Sequence, residues 1–325
     1  MARKFERITL YGAGLIGAGW ATHLLVKGFR NITMFDINEA GLGKGMDILR
    51  QNLTFLAEEK VLDAGEIDSW ITSIRTTTSV KEAVADADLI IENGPEILTV
   101  KQGIIAAIES ECRDDAVITS STSGILISDI VCNARHPERI FGAHPYHPVY
   151  LLPLLEIVKS EHTDPGVLAD AMDFFRSIDK KPVLLKKESD GYIGSHLMTT
   201  LLRESTSMIL NGVCTMEDID DAFTYGPGMR YGLFGIYTTL QLGGGASGIQ
   251  GMLCGPIGQS TDKWLGSFCN WQHWPPEAKA FFANCQEEMD RMLSARDELH
   301  GRNNQELEVF RDKGLVKLLQ AHGMI

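Results

Sequence analysis

The sequence predicts an α/β fold: an N-terminal doubly wound Rossmann-type sheet and a second, all-helical C-terminal domain. The first indication is an apolar run at residues 8–11 that leads straight into a glycine-rich turn at residues 12–19. The second is an alternation of apolar runs with helix-type segments, the pattern of parallel strands joined by crossover helices. The third is a change near residues 187–190, after which long segments have helical apolar spacing without strand alternation. We therefore expect one domain at residues 1–188 and a second at residues 189–325.

Short apolar runs mark the strands of the first domain. They lie at residues 8–11, 31–35, 89–92, 116–120, 139–144, 154–158 and 181–185. The first helix is expected to end at Gly28, a natural C-terminal cap, and the next to cover residues 39–59. In the second domain we expect helices at residues 195–211 and 277–300. The glycine-rich run at residues 242–248 predicts either a flexible loop or a close approach of two helices, since no strand precedes it.

Size, charge and cysteine usage limit the classes of function. A chain of 325 residues with 44% hydrophobic residues is long enough for two packed cores. A net charge of −13 disfavours nucleic acid and anionic membrane surfaces as partners, because phosphate binding needs a basic patch. No apolar run approaches the length of a bilayer span, and residues 1–4 are expected to lead into a strand and not a signal peptide. The six cysteines lack CxxC spacing, which favours a reducing cytoplasm.

The glycine-rich turn has the GxGxxG spacing, with glycines at Gly12, Gly14 and Gly17. Gly12 permits a sharp turn, Gly14 lets the backbone approach a pyrophosphate, and Gly17 lets the helix pack closely on the strand. The helix that follows offers free backbone N–H groups to an anion at Leu15, Ile16 and Gly17. We predict that a dinucleotide binds at this turn.

Asp36 ends the second predicted strand, where a dinucleotide-binding fold places an acid on the adenosine ribose. A carboxylate at this position would repel a 2′-phosphate, so the expected cofactor is NAD and not NADP. The alternative is that Asp36 only caps the next turn. The agreement of strand, glycines and spacing favours the cofactor interpretation.

A histidine and a glutamate stand on two successive predicted strands, as His144 and Glu156. A histidine can take a proton near neutral pH, and a carboxylate on its other ring nitrogen fixes the tautomer and stabilises the imidazolium. Such a pair suits the oxidation of an alcohol. His144 and His147 also have HxxH spacing, but adjacent prolines keep them off a helix face and no further ligand is free, so no metal is predicted.

Four ordered motifs carry a family resemblance along nearly the whole chain. They lie at residues 12–19, 90–96, 121–123 and 144–156. With these motifs the sequence resembles the 3-hydroxyacyl-CoA dehydrogenase superfamily. The resemblance implies that His144 is the general base, that Glu156 is its partner and that Ser123 hydrogen-bonds the reacting oxygen. It also implies that Glu96 and Lys101 lie near the cofactor. Two alternatives remain: the serine motif could serve as a helix cap, and Lys101 could be a solvated surface charge.

Two positions depart from the family pattern in the substrate network. The asparagine of the family's His-Phe-Phe-Asn run is His147 here, and a second family asparagine is Ser195. Serine still donates a hydrogen bond, but its shorter side chain would place the substrate or an intervening water differently.

Within the family, residues 225–231 and 242–248 most resemble the branch that contains carnitine and gulonate dehydrogenases, which use free hydroxy acids. Arg230 is then a candidate for binding a substrate carboxylate, because its planar fork matches two carboxylate oxygens; the alternative is a salt bridge at a helix end. Four aromatic residues could surround a trimethylammonium group by cation–π attraction, but packing at a helix interface is favoured. They are Trp264, Phe268, Trp271 and Trp274.

These expectations combine into an NAD-dependent dehydrogenase that oxidises the secondary alcohol of a small, carnitine-like 3-hydroxy acid to the 3-keto acid. The resemblance also implies a homodimer formed through the helical domain. One alternative is a short-chain 3-hydroxyacyl-CoA dehydrogenase, but its candidate phosphate ligands Lys44, Arg50 and Lys60 are interleaved with acids. Another is an NAD-binding structural protein without turnover, against which the intact set of predicted catalytic residues argues.

Overall fold

The computed structural model describes residues 4–325. Met1, Ala2 and Arg3, which belong to the segment expected to lead into the first strand, lie outside the described residues. The chain forms two compact units. The first ends at His196, and the second covers Leu197–Met324.

A single sheet organises the first unit. Its strands are β1 (Ile8–Tyr11), β2 (Ile32–Phe35), β3 (Arg75–Thr77), β4 (Leu89–Glu92), β5 (Val117–Ser120), β6 (Ile140–Pro145), β7 (Leu154–Val158) and β8 (Lys181–Leu184). They follow the order β3-β2-β1-β4-β5-β6-β7-β8. All pairs are parallel except β6 and β7, which run antiparallel. The order of the first six strands is that of dinucleotide-binding sheets, with a ligand crevice at the carboxyl ends of β1 and β4.

Seven helices accompany the sheet and eight form the rest of the described chain. The first seven are α1 (Leu15–Val26), α2 (Glu39–Glu58), α3 (Ile67–Thr72), α4 (Val80–Val84), α5 (Leu98–Glu111), α6 (Ile127–Ile130) and α7 (Pro165–Ser177). The others are α8 (Gly194–Leu210), α9 (Met216–Thr224), α10 (Pro227–Tyr231), α11 (Ile236–Gly243), α12 (Gly248–Cys254), α13 (Pro256–Leu265), α14 (Pro276–Ala295) and α15 (Asn304–Ala321). The predicted fold class, a doubly wound sheet followed by an all-helical part, is confirmed.

The first unit buries apolar residues on both faces of its sheet. Leu10 and Ile91 belong to one buried cluster, whereas their strand neighbours Tyr11 and Ile90 belong to the other. Parallel strands covered by helices on both faces have this composition. The sheet is therefore packed on both faces, and the polar residues described below lie at its carboxyl edge.

The glycine-rich run at residues 242–248 is a close approach of helices, the second of the two alternatives. A Cβ on Gly244 would lie 1.7 Å from the carbonyl oxygen of Gly248, the first residue of α12. Only glycine permits α11 to end this close to α12. None of the helices in residues 4–325 combines the length and apolar character needed to cross a membrane.

Candidate active site

The glycine turn after β1 forms a concave backbone surface, here called the cradle. Two of its glycines pack against neighbouring backbone, and the third faces open space. Gly12 has a φ of +109°, and a Cβ on it would lie 2.8 Å from the carbonyl oxygen of Asn93. A Cβ on Gly17 would lie 2.0 Å from the carbonyl oxygen of Gly12, whereas one on Gly14 would meet nothing within 4 Å. Gly12 and Gly17 are therefore required by the fold itself, and Gly14 faces open space, as the close approach of a pyrophosphate to the backbone requires.

The first turn of α1 presents its backbone N–H groups to this cradle. Gly14 is the N-cap and supplies no side-chain hydrogen bond. The first intrahelical bond of α1 runs from the N–H of Ala18 to the carbonyl of Gly14. The earlier N–H groups, those of Leu15, Ile16 and Gly17, are the donors that a helix start offers to an anion.

Asp36 lies beside the glycine turn and does not cap the next helix. Its Oδ2 accepts a hydrogen bond from the backbone N–H of Ala13 at 3.1 Å. The N-cap of α2 is Asn38, whose side chain accepts from Gly41 N–H at 2.8 Å. A Cβ on Gly41 would lie 2.3 Å from Asp36 Oδ1, so glycine is needed where α2 passes the carboxylate. The remaining acceptor positions of Asp36 suit ribose hydroxyls.

Lys101 is buried in an ion-pair cluster and is not the solvated charge that the sequence left open. Its side chain is 1% exposed, and Nζ lies 3.1 and 3.0 Å from the two carboxylate oxygens of Glu92. Nζ also donates to the carbonyl of Gly94 at 3.2 Å and lies 3.5 Å from Glu96 Oε2. Glu92 accepts two more hydrogen bonds, from Gly94 N–H at 2.6 Å and Ser120 Oγ at 2.5 Å. Glu92 was not among the predicted site residues, although a lone acid at the end of an apolar strand is a signal for one.

Glu96 connects this cluster to the serine motif after β5. Its Oε1 accepts from Thr122 Oγ1 at 2.6 Å and from Ser123 N–H at 2.8 Å. Burial raises the pKa of Glu96, but these hydrogen bonds and the charge of Lys101 outweigh burial and lower the pKa. Thr122 Oγ1 also accepts from the N–H of Ile125 at 3.1 Å and so stabilises the turn, while Ser123 itself is exposed. The motif does not cap a helix: the N-cap of α6 is Leu126, which makes no side-chain cap hydrogen bond, and Thr122 stabilises only the turn before it.

His144 and Glu156 form a buried pair because the antiparallel β6–β7 register places them opposite each other. His144 Nδ1 lies 2.9 Å from Glu156 Oε2, and Glu156 Oε1 accepts from the N–H groups of Ile193 at 2.8 Å and Gly194 at 3.0 Å. Burial raises the pKa of Glu156, but the hydrogen bonds from His144, Gly194 and Ile193 lower it overall. The ionised carboxylate holds a proton on Nδ1 and leaves Nε2 to act on a substrate. The described residues, 4–325, contain no group of three or more His, Cys, Asp or Glu placed to hold a metal ion.

Two tyrosines that the sequence analysis did not identify surround His144. The ring centroids of Tyr146 and Tyr192 lie 4.9 and 5.7 Å from that of His144. The Tyr146 hydroxyl donates to Glu156 Oε2 at 3.3 Å and also hydrogen-bonds with Ser195. Ser195 is thereby placed next to the His144–Glu156 pair. Finding these contacts requires the strand register, so no local sequence signal could have shown them.

The Gly191–Tyr192 turn directs backbone donors at Glu156. Tyr192 is buried and has a φ of +50°, and Gly191 has a φ of +67°. This left-handed turn brings the next two N–H groups onto the carboxylate and costs about 1–2 kcal/mol at the tyrosine. The Tyr192 hydroxyl donates to the carbonyl of Ile125 at 3.1 Å, and burial raises the pKa of Tyr192 above its ordinary value.

The remaining candidates lie in the second unit. Arg230 is exposed at the end of α10, and no ion pair includes it among the described residues. The ring centroids of Trp271 and Trp274 are 6.3 Å apart, and Trp274 meets Phe282 edge-on at 4.9 Å. Trp271 and Trp274 therefore pack against other aromatic rings, as the sequence favoured. Trp264 and Phe268 are 53% and 49% exposed, so the expected packing is not seen for them.

Comparisons with known proteins agree with this architecture. A family model for the NAD-binding domain of 3-hydroxyacyl-CoA dehydrogenase matches residues 7–189, and the model for its C-terminal domain matches residues 191–283. The L-carnitine dehydrogenase of Pseudomonas aeruginosa is 33% identical over 98% of this chain and 94% of its own length. That of Bacillus cereus is 36% identical over 77% of this chain and 75% of its own length.

Solved structures give the same result. The crystal structure of 5-formyl-3-hydroxy-2-methylpyridine 4-carboxylic acid 5-dehydrogenase, described as an NAD⁺-dependent dismutase, superposes with a TM-score of 0.77 at 25% identity. The superposition covers 98% of both chains. The matches confirm the predicted NAD cofactor and the predicted class of enzyme, an NAD-dependent dehydrogenase that acts on a CH–OH group. The chain belongs to the 3-hydroxyacyl-CoA dehydrogenase family.

Proposed function

We propose that this enzyme oxidises the secondary alcohol of a small, free 3-hydroxy acid of the carnitine type to the 3-keto acid. The observation that carries the proposal is the buried His144–Glu156 pair at the carboxyl edge of the sheet. His144 Nε2 takes the hydroxyl proton, while the hydrogen on the same carbon leaves with its electron pair. NAD, when bound, accepts that hydride. The alcohol thus loses one proton to the imidazole and one hydride to the cofactor.

Glu156 and Ser123 support this step in different ways. Glu156 keeps the Nδ1 proton in place and stabilises the imidazolium that forms, because its own charge is held by backbone donors. We propose that the Ser123 hydroxyl donates to the reacting oxygen while Glu96 holds the Ser123 backbone N–H. The proposed cofactor-binding residues are Gly12, Gly14, Leu15, Ile16, Gly17, Asp36, Glu96 and Lys101. Lys101 acts from within its buried cluster by holding Glu96 in place.

Two considerations support a free acid over a CoA thioester. The names of L-carnitine dehydrogenase and of the pyridine 4-carboxylic acid dehydrogenase both describe substrates with a free carboxylate. Arg50, one of the candidate CoA ligands, instead lies 2.8 Å from Asp68 in an ion pair. We propose Arg230 and Ser195 as substrate-binding residues, with Arg230 binding the carboxylate.

NADH formation with purified protein tests the proposal. The substrates are L-carnitine, L-gulonate, 3-hydroxybutyrate and 3-hydroxybutyryl-CoA, each with NAD and with NADP. We expect turnover with a free acid and NAD, and little with NADP, because Asp36 would repel a 2′-phosphate. Turnover only with the thioester would replace this proposal by the CoA alternative, and NAD binding without any turnover would favour a structural role.

We also propose a homodimer formed by the second unit, in the cytoplasm. Large apolar side chains are exposed on this unit, among them Tyr237 at 74% and Tyr225 at 71%. A contiguous exposed apolar patch marks an association site, and we propose that these side chains form one. All six cysteines are free thiols, as expected in a reducing compartment. Light scattering on the purified protein is expected to give twice the mass of the 35.8 kDa chain, and a monomer at all concentrations would contradict the dimer.

A further inference from the structure

The carboxylate of Glu156 accepts four hydrogen bonds. Its Oε1 accepts from Ile193 N–H and Gly194 N–H, and its Oε2 accepts from His144 Nδ1 and from the hydroxyl of Tyr146. Two carboxylate oxygens offer about four acceptor positions, so the group is fully occupied. The Tyr146 hydroxyl therefore shares with His144 the single oxygen that orients the imidazole.

The chain around Tyr146 is built to admit its hydroxyl. A Cβ on Gly194 would lie 1.9 Å from the Tyr146 hydroxyl oxygen, so any larger residue there would displace it. Ser195 hydrogen-bonds with the same hydroxyl. Contact between the ring of Tyr146 and that of His144 would be the same for phenylalanine, so packing alone does not require the hydroxyl.

We propose that Tyr146 is a positioning residue that sets the basicity of His144 through Glu156 and couples this pair to Ser195. The inference rests on the proposed role of His144 as the base. The Tyr146 hydroxyl draws negative charge from Glu156 Oε2, so the imidazolium is stabilised less than it would be by a carboxylate with one donor fewer.

The Tyr146 hydroxyl stays protonated and able to donate at the pH of the reaction. Burial raises the pKa of Tyr146, and the charge of Glu156 raises it further, although hydrogen bonding from Ser195 acts in the opposite direction. The titratable groups that face His144 are Glu156 from β7, Tyr146 at the end of β6 and Tyr192 before α8. The more distant charges of Glu96 and Glu188 act on Tyr192. Among the groups facing His144, Glu156 is the carboxylate, and the Tyr146 hydroxyl donates a hydrogen bond to it.

The pH dependence of kcat/KM in the Tyr146→Phe variant tests the proposal, measured in the direction of alcohol oxidation. We expect the acid limb to move to higher pH by about half a unit to one unit, because the imidazolium is now stabilised more. The value of kcat/KM on the acidic side should fall by about three- to ten-fold, while the alkaline plateau stays within about two-fold. An unmoved limb, or a limb moved to lower pH, would overturn the proposal.

Tyr192→Phe is the matched control. It also removes one tyrosine hydroxyl beside His144, but this hydroxyl donates to the carbonyl of Ile125 and not to Glu156. We expect its acid limb to coincide with that of the unmodified protein. An equal shift in both variants would show a general effect of packing and would also overturn the proposal.

A measurement without substrate separates this inference from the proposed function. The imidazole of His144 is titrated by NMR in the NAD complex, in the unmodified protein and in Tyr146→Phe, with assignment by His144→Gln. A midpoint raised in Tyr146→Phe supports the inference even if the substrate class is wrong, and unchanged midpoints overturn it. Full turnover in His144→Gln would contradict the proposed function instead.

Discussion

Glu92 and Glu156 are both inaccessible glutamates in the same sheet, and each accepts four hydrogen bonds. Their partners differ. Glu92 is held by Lys101, a serine and a backbone N–H, whereas Glu156 is held by His144, a tyrosine and two backbone N–H groups. A buried carboxylate is tolerated only when its charge is compensated and its lone pairs are occupied, and both sites meet that condition.

The difference lies in what the cationic partner can do. The ammonium of Lys101 is surrounded by the acceptors of Glu92 and Gly94 and takes no part in the proposed proton transfer, so we propose the Glu92 cluster as a support for the cofactor side of the crevice. A histidine can gain and lose a proton near neutral pH, so the same arrangement of hydrogen bonds around Glu156 suits the base that we propose His144 to be. In this proposal the partner residue, and not the carboxylate, decides whether the cluster is structural or catalytic.

The largest effect on this comparison is expected from Glu156→Gln. The Ile193 and Gly194 N–H groups would bind the amide oxygen, which leaves the amide NH₂ facing His144 Nδ1. The imidazole would then carry its proton on Nε2, the wrong tautomer for a base, and kcat should fall by about 10³-fold. Steady-state kinetics with the active hydroxy acid measures this loss, while NAD affinity should stay within about two-fold.

Glu92→Gln is the matched change in the other cluster and should affect stability more than chemistry. It leaves the buried ammonium of Lys101 without its nearest carboxylate, so the free energy of unfolding should fall by about 3 kcal/mol. We expect kcat at saturating NAD to change by less than about ten-fold. Urea unfolding and kinetics on the same preparation check both values. If Glu92→Gln and Glu156→Gln lowered kcat equally, the proposed distinction between a structural Glu92 cluster and a catalytic Glu156 cluster would be wrong.

Lys180 is a third buried residue of this kind, but its hydrogen-bond acceptors are neutral carbonyls. We expect it to have the smallest effect, a change in how the free energy of unfolding depends on pH. Its Nζ donates to the carbonyls of Val149 and Leu152, in the connection between β6 and β7, and lies 5.1 Å from the Trp20 ring centroid. Burial lowers the pKa of Lys180 to about 7, with the charge of Lys27 adding to the effect.

The sign of the resulting pH dependence follows from proton binding. Below about pH 7 both folded and unfolded states carry the proton; between about 7 and 10 the unfolded state binds more protons, so stability rises with pH. Through Lys180, the free energy of unfolding should rise by about 1 kcal/mol per pH unit between about pH 8 and 9.5. Urea unfolding of the unmodified protein and of Lys180→Met across this range measures it. Parallel stability curves for the two proteins would contradict this prediction.

Much of the fold could be predicted because its signals are local. The glycine turn, Asp36 and most of the strands each follow from a few neighbouring residues. Strand β3 was missed because its Arg-Thr-Thr sequence lies at the edge of the sheet, where no apolar run is required. The domain boundary expected at residue 188 stays a prediction: the family models change between residues 189 and 191, and the compact units change after His196.

The site could be predicted less completely because many of its contacts are not local. The His144–Glu156 pair was foreseen, but the Tyr146 hydroxyl reaches Glu156 only because β6 and β7 pair in one register. The burial of Lys101 depends on how α5 packs back on the end of β4. Arg230 is indicated by the family resemblance alone, and its proposed role in binding substrate stays a prediction.

The proposed role of His144 is best tested by comparing His144→Gln with the unmodified protein, using kcat for the active hydroxy acid and the dissociation constant for NAD. We expect kcat to fall by about 10³-fold while NAD affinity stays within about two-fold, because the proposed base and the glycine turn are separate groups of residues. A kcat that is unchanged in His144→Gln would contradict the assignment of His144 as the base.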